Sequence, residues 1–225
     1  MLFESSKQTG RIPLLLIVGT CELSTSALIN TLLKHTALAN TVVFSSARNG
    51  RAQLNGTRVI ELPVLESSAQ EACLCCGMHS ALGDALRKLF FEALTFRGKG
   101  LDRVMIESTS INTAQLAFTL RHTPFLGQRY FHQLTFRVMT ETELLLKGLE
   151  ILKGLDTSND QTQQFLIIAP PPHHSGSVVE KNEVHGQSAS QSQFDAWKTD
   201  IERTLPYRQV LRLGHDSLHK SLGLC

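Results

Sequence analysis

Three cysteines lie within four residues of the chain, in the run Cys73-Leu74-Cys75-Cys76. Cysteines that only fill a core have no reason to crowd together, whereas neighbouring thiolates bind Zn²⁺ and other thiophilic ions well. The run lies between a strand-like segment, 58–65, and a helix-like segment, 80–94. Cys73, Cys75 and Cys76 are therefore the candidate metal ligands, with zinc as the expected ion. The alternative is a set of half-buried thiols that remain from an ancestor that bound metal.

Three thiolates leave one position open at a tetrahedral ion. The sequence offers His79 for this position, and a water molecule or a thiol of a partner protein would serve equally. His79 is alternatively a solvated histidine at the start of a helix. Three further histidines, His173, His174 and His185, lie in a stretch rich in Ser and Gln. They would either chelate metal weakly or be solvated.

Composition excludes several classes of function. The 225 residues are 42% hydrophobic and carry a formal net charge of +2, with scattered basic residues, so neither nucleic acid nor an anionic membrane is an expected partner. Five cysteines, an odd number with three crowded together, do not resemble a disulfide framework and favour a reducing cytoplasm. No apolar run reaches the roughly 18 residues of a membrane span, and Ile12–Val18 is too short for a signal peptide.

Apolar runs that resemble buried strands alternate with segments of helical periodicity along the chain. This order predicts an α/β fold, a doubly wound and mostly parallel sheet in one domain that spans residues 1–225. The first helix would be capped by Ser24 or Thr25, an exposed loop would cover Ser45–Asn55, and a flexible surface insertion would occupy about 170–193. The predicted strands are Ile12–Val18, Thr41–Phe44, Thr57–Leu65, Asp102–Glu107, Gln133–Met139, Gln164–Ala169 and Arg208–Leu213, and the predicted later helices are Ser80–Leu94, Ala114–Leu120, Glu141–Leu155 and Phe194–Leu205.

The turn after the first strand is the usual phosphate site of such a sheet. The phosphate-loop pattern is Gly, four residues, Gly, Lys and then Ser or Thr, which together cradle phosphate and hold Mg²⁺. Here Gly19 and the hydroxyl residue Ser26 stand in that pattern, while Ser24 replaces the second glycine and Thr25 replaces the lysine. The pattern is therefore retained only in part.

Taken together, these landmarks resemble the CobW-like P-loop GTPases, which are relatives of the nickel-insertion GTPases of urease and hydrogenase. The family's first loop reads Gly-x-x-Gly-x-Gly-Lys-Thr-Thr-Leu-Leu-Asn, in register with 19–30 here. Its Gly-Cys-x-Cys-Cys loop between strand and helix matches 72–76, and its Ile-Glu-Thr-Thr/Ser-Gly strand end matches 106–110. The resemblance implies a P-loop fold of the SIMIBI type and a metallochaperone role.

By this resemblance a degenerate site for nucleotide and Mg²⁺ would be formed by Gly19, Ser24, Thr25, Ser26 and the Walker B carboxylate Glu107. Ser26 is alternatively an ordinary helix-start residue, and Glu107 an acid that caps the next helix. The chain departs from the family at three places. Ser110 stands where the family has the glycine that senses the γ-phosphate, and Ser45–Ala52 supplies none of the family's acidic residues. At 169–172, Ala-Pro-Pro-Pro replaces the guanine-reading motif. The family's second, carboxy-terminal domain has no counterpart.

Loss of the lysine removes a charge that faces the phosphates, and loss of the base-reading Asp leaves purine donors unpaired. The preferred hypothesis is therefore a non-catalytic pseudo-GTPase of the cytoplasm that binds zinc through its cysteines in metal homeostasis, together with a client metalloprotein or a regulatory partner. The alternative is an enzyme, a divergent GTP-dependent metal-insertion chaperone. A third hypothesis is an interaction module like the bacterial cell-division inhibitors, to which the cysteine loop is foreign. A homodimer is compatible with each.

Overall fold

The computed structural model describes residues 10–38, 40–45, 57–62, 74–95, 101–108, 113–147, 163–170, 190–204 and 208–214. For residues 37, 74–81, 113–115, 147, 163, 204 and 208 it describes the backbone alone. Seven strands within these ranges form one sheet in the order β3-β2-β4-β1-β5-β6-β7, and every neighbouring pair is parallel. The strands are β1 (Ile12–Gly19), β2 (Thr41–Ser45), β3 (Val59–Glu61), β4 (Arg103–Ser108), β5 (Tyr130–Thr140), β6 (Gln163–Ala169) and β7 (Arg208–Arg212). The predicted doubly wound α/β class is confirmed.

Six α-helices and one 3₁₀ turn accompany the described strands. The helices are α1 (Glu22–Leu33), α2 (Leu74–Thr95), α3 (Thr113–His122), α4 (Pro124–Arg129), α5 (Glu141–Lys147) and α6 (Gln191–Thr204), and the 3₁₀ turn is Thr36–Leu38. None of the helices in the described part of the chain is long and apolar enough to cross a membrane.

Helices cover both faces of the sheet. On one face, Leu28 and Leu32 of α1 share a buried cluster with Ile17, Met105 and Phe136 of three neighbouring strands. Side chains of α2, α3 and α4 pack on the opposite face with the alternate residues of β1 and β4, and those of α5 and α6 pack there with β5, β6 and β7. Because both faces are buried, the central strands carry apolar residues at nearly every position.

β1 lies at the point where the chain changes direction across the sheet. The chain leaves β1 toward β2 and β3, returns with β4 beside β1, and then crosses to the other side with β5. In an open parallel sheet, ligands bind at the carboxyl ends of the strands beside such a switch point. The edge of the sheet where β1, β2 and β4 end is called the carboxyl edge below.

Several predicted boundaries are wrong. α1 begins at Glu22 with Cys21 at its N-cap, so Ser24 and Thr25 lie inside its first turn and cap nothing. α2 begins at Leu74 instead of Ser80, so the backbone of Cys75 and Cys76 is helical and does not form a loop.

Three further differences concern the remaining segments. Ser45 is a buried residue of β2 and not the first residue of an exposed loop. α4 was not predicted, and α6 begins at Gln191 within the expected insertion. Residues 171–189 of that insertion, the loop 46–56 and the expected helical residues 148–155 lie outside the described residues.

Candidate functional site

Residues from three strand ends meet at the carboxyl edge. Gly19 is the last residue of β1 and Ser45 the last residue of β2, and Glu107 lies one position before the end of β4. Ser45 is paired directly with Glu107 across β2 and β4, and Ile17 is paired with Glu107 on the other side. Parallel pairing therefore brings together residues that are far apart in sequence.

Glu107 is the buried acid of this edge, with 4% of its surface exposed. The Thr25 hydroxyl donates to Glu107 Oε1 at 2.5 Å, and the Ser45 hydroxyl donates to Glu107 Oε2 at 2.6 Å. Burial of a carboxylate is costly unless hydrogen bonds compensate it, and bonds to a charged acceptor are the strong ones. The two hydroxyls therefore hold the carboxylate between α1 and β2.

Gly19 allows Thr25 to reach this acid. A Cβ atom at position 19 would lie 2.6 Å from Thr25 Cγ2 and 3.1 Å from both the Cβ and the carbonyl oxygen of Val138. The first separation is shorter than real Cβ contacts and the other two are tight, so a side chain here would force Thr25 to shift and would press on β5. The glycine of the phosphate-loop pattern thus has a steric role in the packing of the first turn.

The turn between β1 and α1 contains only Thr20 and Cys21. The phosphate-loop pattern needs four residues after Gly19, but here Glu22 and Leu23 already belong to the helix, and the Thr25 amide bonds the Cys21 carbonyl. Ser24 is buried, and the Ser26 hydroxyl donates to the carbonyl oxygen of Glu22 at 2.6 Å. The backbone that would curve around a phosphate is therefore wound into the first turn of α1.

A second acid, Glu143, lies against this turn and was not predicted. The hydroxyl of Thr20 donates to Glu143 Oε1, and the amide of Thr140 donates to Glu143 Oε2 at 2.9 Å. The Glu143 amide in turn donates to the Thr140 hydroxyl at 3.1 Å, which completes a capping box at the start of α5. The Thr-x-x-Glu signature was visible in the sequence, but its contact with Thr20 was not.

The charges at the first turn are negative. Glu22 lies exposed in the first turn of α1, where a carboxylate interacts favourably with the helix dipole. Glu143 approaches the same turn through Thr20. Two carboxylates at this place repel a phosphate group, whereas the phosphate-loop lysine would attract one.

An ion pair between a buried carboxylate and a half-buried guanidinium spans the carboxyl end of β6. Glu141 follows the last residue of β5, Arg212 is the last residue of β7, and the guanidinium donates to Glu141 Oε1 from Nη2 at 2.8 Å and from Nε at 3.1 Å. The Arg212 guanidinium also lies 5.5 Å from the Phe194 ring centroid. In the family that the sequence resembles, the guanine-reading motif follows the strand that corresponds to β6, whose carboxyl end this ion pair borders.

The metal-ligand candidates are described only in part. Cys75 and Cys76 belong by their backbone to the first turn of α2, His79 to its second turn, and their side chains are outside the described set, as are Cys73, His173, His174 and His185. Among the side chains that are described, no group of three His, Cys, Asp or Glu gathers to hold a metal ion. The grouping of the three cysteines therefore remains a prediction.

No protein-family model matches the sequence, and no curated protein sequence matches it significantly. The fold is similar to the crystal structure of the hydrogenase maturation factor HypB from Archaeoglobus fulgidus, with a TM-score of 0.50, 12% sequence identity, and coverage of 98% of this chain and 97% of that chain. At this identity the likeness establishes a shared fold. The sequence resemblance had pointed to relatives of hydrogenase metal-insertion proteins, and the fold expected from it is confirmed.

Proposed function

We propose that this chain binds zinc or a similar thiophilic ion through Cys73, Cys75 and Cys76 and takes part in metal homeostasis without hydrolysing a nucleotide. The observation that carries the proposal is the position of the Cys-x-Cys-Cys run at the start of α2. Because β3 and β4 are parallel, α2 must return the chain from the carboxyl edge to the opposite edge. The thiols would thus stand at the edge where such folds bind ligands.

The start of a helix suits thiolates. The positive end of the helix dipole stabilises anions there, and thiolates, unlike thiols, are the ligands of Zn²⁺. The three cysteines would supply three ligands, and His79, water or a partner's thiol would supply the fourth. Bound zinc would be held as a structural ion or as cargo that passes to another protein.

Loss of hydrolysis is supported by the geometry of the first turn. Thr25 stands where the phosphate-loop lysine would stand, and its hydroxyl is directed to Glu107. Glu107, the expected Walker B acid, is buried between the hydroxyls of Thr25 and Ser45. A site that activates a nucleotide needs a cation for the phosphates and an acid available to Mg²⁺, and these residues are engaged with one another.

The alternative function is a divergent GTP-dependent chaperone that inserts metal into a client. It is favoured by one observation, the fold shared with a hydrogenase maturation factor over nearly the whole chain. In either case we infer that the partner is a client metalloprotein or a regulatory protein and that the chain acts in the cytoplasm. Light scattering of the purified chain would show whether it forms a homodimer.

The test is metal analysis of the purified full chain. We expect about one thiol-dependent zinc ion per chain in the wild type and none in Cys75→Ser/Cys76→Ser. Cys21→Ser is the matched control, since Cys21 is a half-buried free thiol at the N-cap of α1, and it should keep its metal. Wild-type protein without stoichiometric zinc would refute the metal proposal.

A calorimetric titration with GTP and Mg²⁺ separates the two functions. A flat titration at high protein concentration is expected if nucleotide chemistry is lost. Saturable binding, weakened by Glu107→Gln, would instead support the GTP-dependent chaperone.

A further inference from the structure

We propose that the outer surface of α2 and α4 docks an acidic amphipathic segment of a partner protein. The surface consists of Arg87, Phe91 and Leu94 of α2 with Phe125 and Arg129 of α4, and it is called the aromatic–arginine surface below. It is separate from the carboxyl edge and does not depend on the proposed metal function.

The rings of this surface form one connected stack. Phe91 and Phe125 are stacked, with centroids 5.6 Å apart and an interplanar angle of 20°. Phe90 makes T-shaped contacts with both rings, with centroids 5.8 Å from Phe91 and 5.5 Å from Phe125, and a third T-shaped contact with Tyr130 at 6.5 Å. The outer rings are thus fixed on the buried core, so a partner would meet a rigid surface that loses little entropy on binding.

The outermost side chains are apolar and exposed. Phe91 is 52% exposed and Leu94, which follows it on the next turn of α2, is 66% exposed. Neighbouring exposed apolar side chains on a folded domain mark an interaction site when polar groups surround them. Aromatic residues and arginine are also the types that dominate binding energy at protein interfaces.

Two guanidinium groups flank the rings. Arg87 Cζ lies 5.8 Å from the centroid of Phe125, and Arg129 Cζ lies 5.2 Å from the centroid of Phe90. Arg87 also pairs with Asp84 at 3.4 Å, but both side chains are largely exposed, and such a pair contributes little. A guanidinium that is held on a ring keeps its N–H groups available for bidentate bonds to a carboxylate.

The charge of this region points to an acidic partner. The described side chains of α2, α3 and α4, with Arg58 that pairs with Glu92, include five Lys or Arg and two Asp or Glu. The excess of three positive charges exceeds the net charge of +2 of the whole chain. Carboxylates that flank an apolar anchor complement Arg87 and Arg129 on either side of the phenylalanines.

A protein segment fits this surface better than a nucleic acid does. A single strand needs a run of cations along its backbone and open ring faces for its bases. Here Phe91 and Phe125 already cover one face of each other, and the exposed neighbour is the aliphatic Leu94. An amphipathic helix fits this surface because its apolar residues can pack on Phe91 and Leu94 while its glutamates bind the flanking arginines.

The test measures fluorescence anisotropy of a labelled 18-residue synthetic helix with Leu and Phe on one face and Glu on the other, titrated with the full chain. Saturable binding that weakens as salt rises is expected, with a loss of about tenfold or more in affinity for Phe91→Ser/Leu94→Ser. Arg129→Glu should weaken binding in the same direction with the apolar side chains intact. Leu145→Ser/Leu146→Ser is the matched control, because these leucines are also exposed but belong to α5, and it should bind like the wild type.

Three outcomes would overturn the proposal. Equal binding by wild type and both surface variants would show that the peptide does not bind at this surface. Stronger binding of the same peptide with Lys in place of Glu would show that the partner is not acidic. Binding of a single-stranded oligonucleotide or of anionic vesicles that is lost in Phe91→Ser/Leu94→Ser, without peptide binding, would assign the surface to another class of partner. None of these outcomes changes the zinc content, so the metal proposal stands or falls separately.

Discussion

The carboxylate of Glu107 joins a helix and a strand that meet at the carboxyl edge. Its two oxygens accept the hydroxyls of Thr25 and Ser45, which precede it by 82 and 62 residues. A buried charge that loses one donor keeps its desolvation cost and loses part of the compensation. The Thr25 contact should therefore contribute to stability, and its loss can be measured.

Thr25→Val removes the hydroxyl while keeping the shape of the side chain. We expect the free energy of unfolding to fall by about 1–3 kcal/mol, measured by urea unfolding. Thr31→Val is the control in the same helix, since its hydroxyl donates to the Ala27 carbonyl at 2.8 Å on the exposed face of α1. That variant should change stability by no more than about 0.5 kcal/mol. Equal effects of the two substitutions would show that the Glu107 contact is energetically ordinary.

Position in a motif predicted which residues gather at this edge, but not what they bond. Gly19, Thr25 and Glu107 were all selected from the phosphate-loop and Walker B patterns, and they do lie together. Ser45 was assigned to a loop because a single polar residue at a strand end carries no periodic signal. A contact between residues 82 apart depends on the register of β4 beside β1 and β2, which no local pattern encodes.

The ion pair of Glu141 and Arg212, with Phe194 beside it, connects three elements, α5, β7 and α6. Glu141 is 1% exposed and Arg212 is 17% exposed, and Phe194 of α6 packs on the guanidinium. Removal of one partner of such a pair leaves a buried charge, so Arg212→Ala should lower the free energy of unfolding by about 3–5 kcal/mol. Thermal or denaturant unfolding measures this change.

Two comparisons sharpen this prediction. Arg203→Ala breaks the Arg203–Asp200 pair, whose side chains are 79% and 49% exposed, and should cost no more than about 1 kcal/mol. Replacement of both charges, Arg212→Met with Glu141→Leu, should recover most of the lost stability, because apolar residues of similar size need no partner. A double variant as unstable as Arg212→Ala would locate the effect in lost packing instead.

Tyr130 couples α2 to β5 and makes this contact sensitive to alkaline pH. Its side chain is fully buried, its hydroxyl donates to the Leu86 carbonyl at 2.8 Å, and burial raises the pKa of the phenol. Unfolded tyrosine ionises near pH 10, at about its ordinary pKa. Above that pH the unfolded state releases a proton that the folded state retains, so this stability is present below pH 10 and is lost as pH rises.

Unfolding of the wild type and of Tyr130→Phe between pH 8 and 11 tests this coupling. Below pH 10 the wild type should be more stable by about 1 kcal/mol, the usual contribution of one hydrogen bond. Above it the advantage should shrink by up to about 1.4 kcal/mol per pH unit. Ionisation of the lysines and cysteines is common to both proteins, so it cancels in the difference between their free energies of unfolding. Parallel curves would mean that Tyr130 ionises freely in the folded state.

At the level of elements, the sequence predicted the strands better than the helix starts. Continuous apolar runs such as 12–18 and 164–169 are long and buried on both faces, and both are strands. The start of α2 was placed at Ser80 because the helical apolar periodicity begins beside it, at Ala81. α4 has only six residues with Pro124 at its first position, and such a helix is too short for periodicity to reveal.

At the scale of the whole molecule, α2 connects the two proposed binding regions. Cys75 lies in its first turn and Phe91 sixteen residues later, which corresponds to about 24 Å along a helix. The cysteines would stand at the carboxyl edge, whereas Phe90, which contacts Phe91, lies against Tyr130, the first residue of β5 at the opposite edge. A partner held on the aromatic–arginine surface would leave the metal ligands accessible to a second protein.

This separation predicts that the two activities are thermodynamically independent. Substitutions more than about 10 Å apart without shared contacts are additive within roughly 0.5 kcal/mol, which is about a twofold change in affinity. Phe91→Ser/Leu94→Ser should thus keep the wild-type zinc stoichiometry, and Cys75→Ser/Cys76→Ser should bind the acidic peptide within about twofold of the wild type. Anisotropy titrations of wild type, both double variants and their combination, each with and without zinc, complete the cycle. If zinc changed the affinity for the peptide by tenfold or more in the wild type alone, the metal site and the aromatic–arginine surface would be thermodynamically coupled through α2.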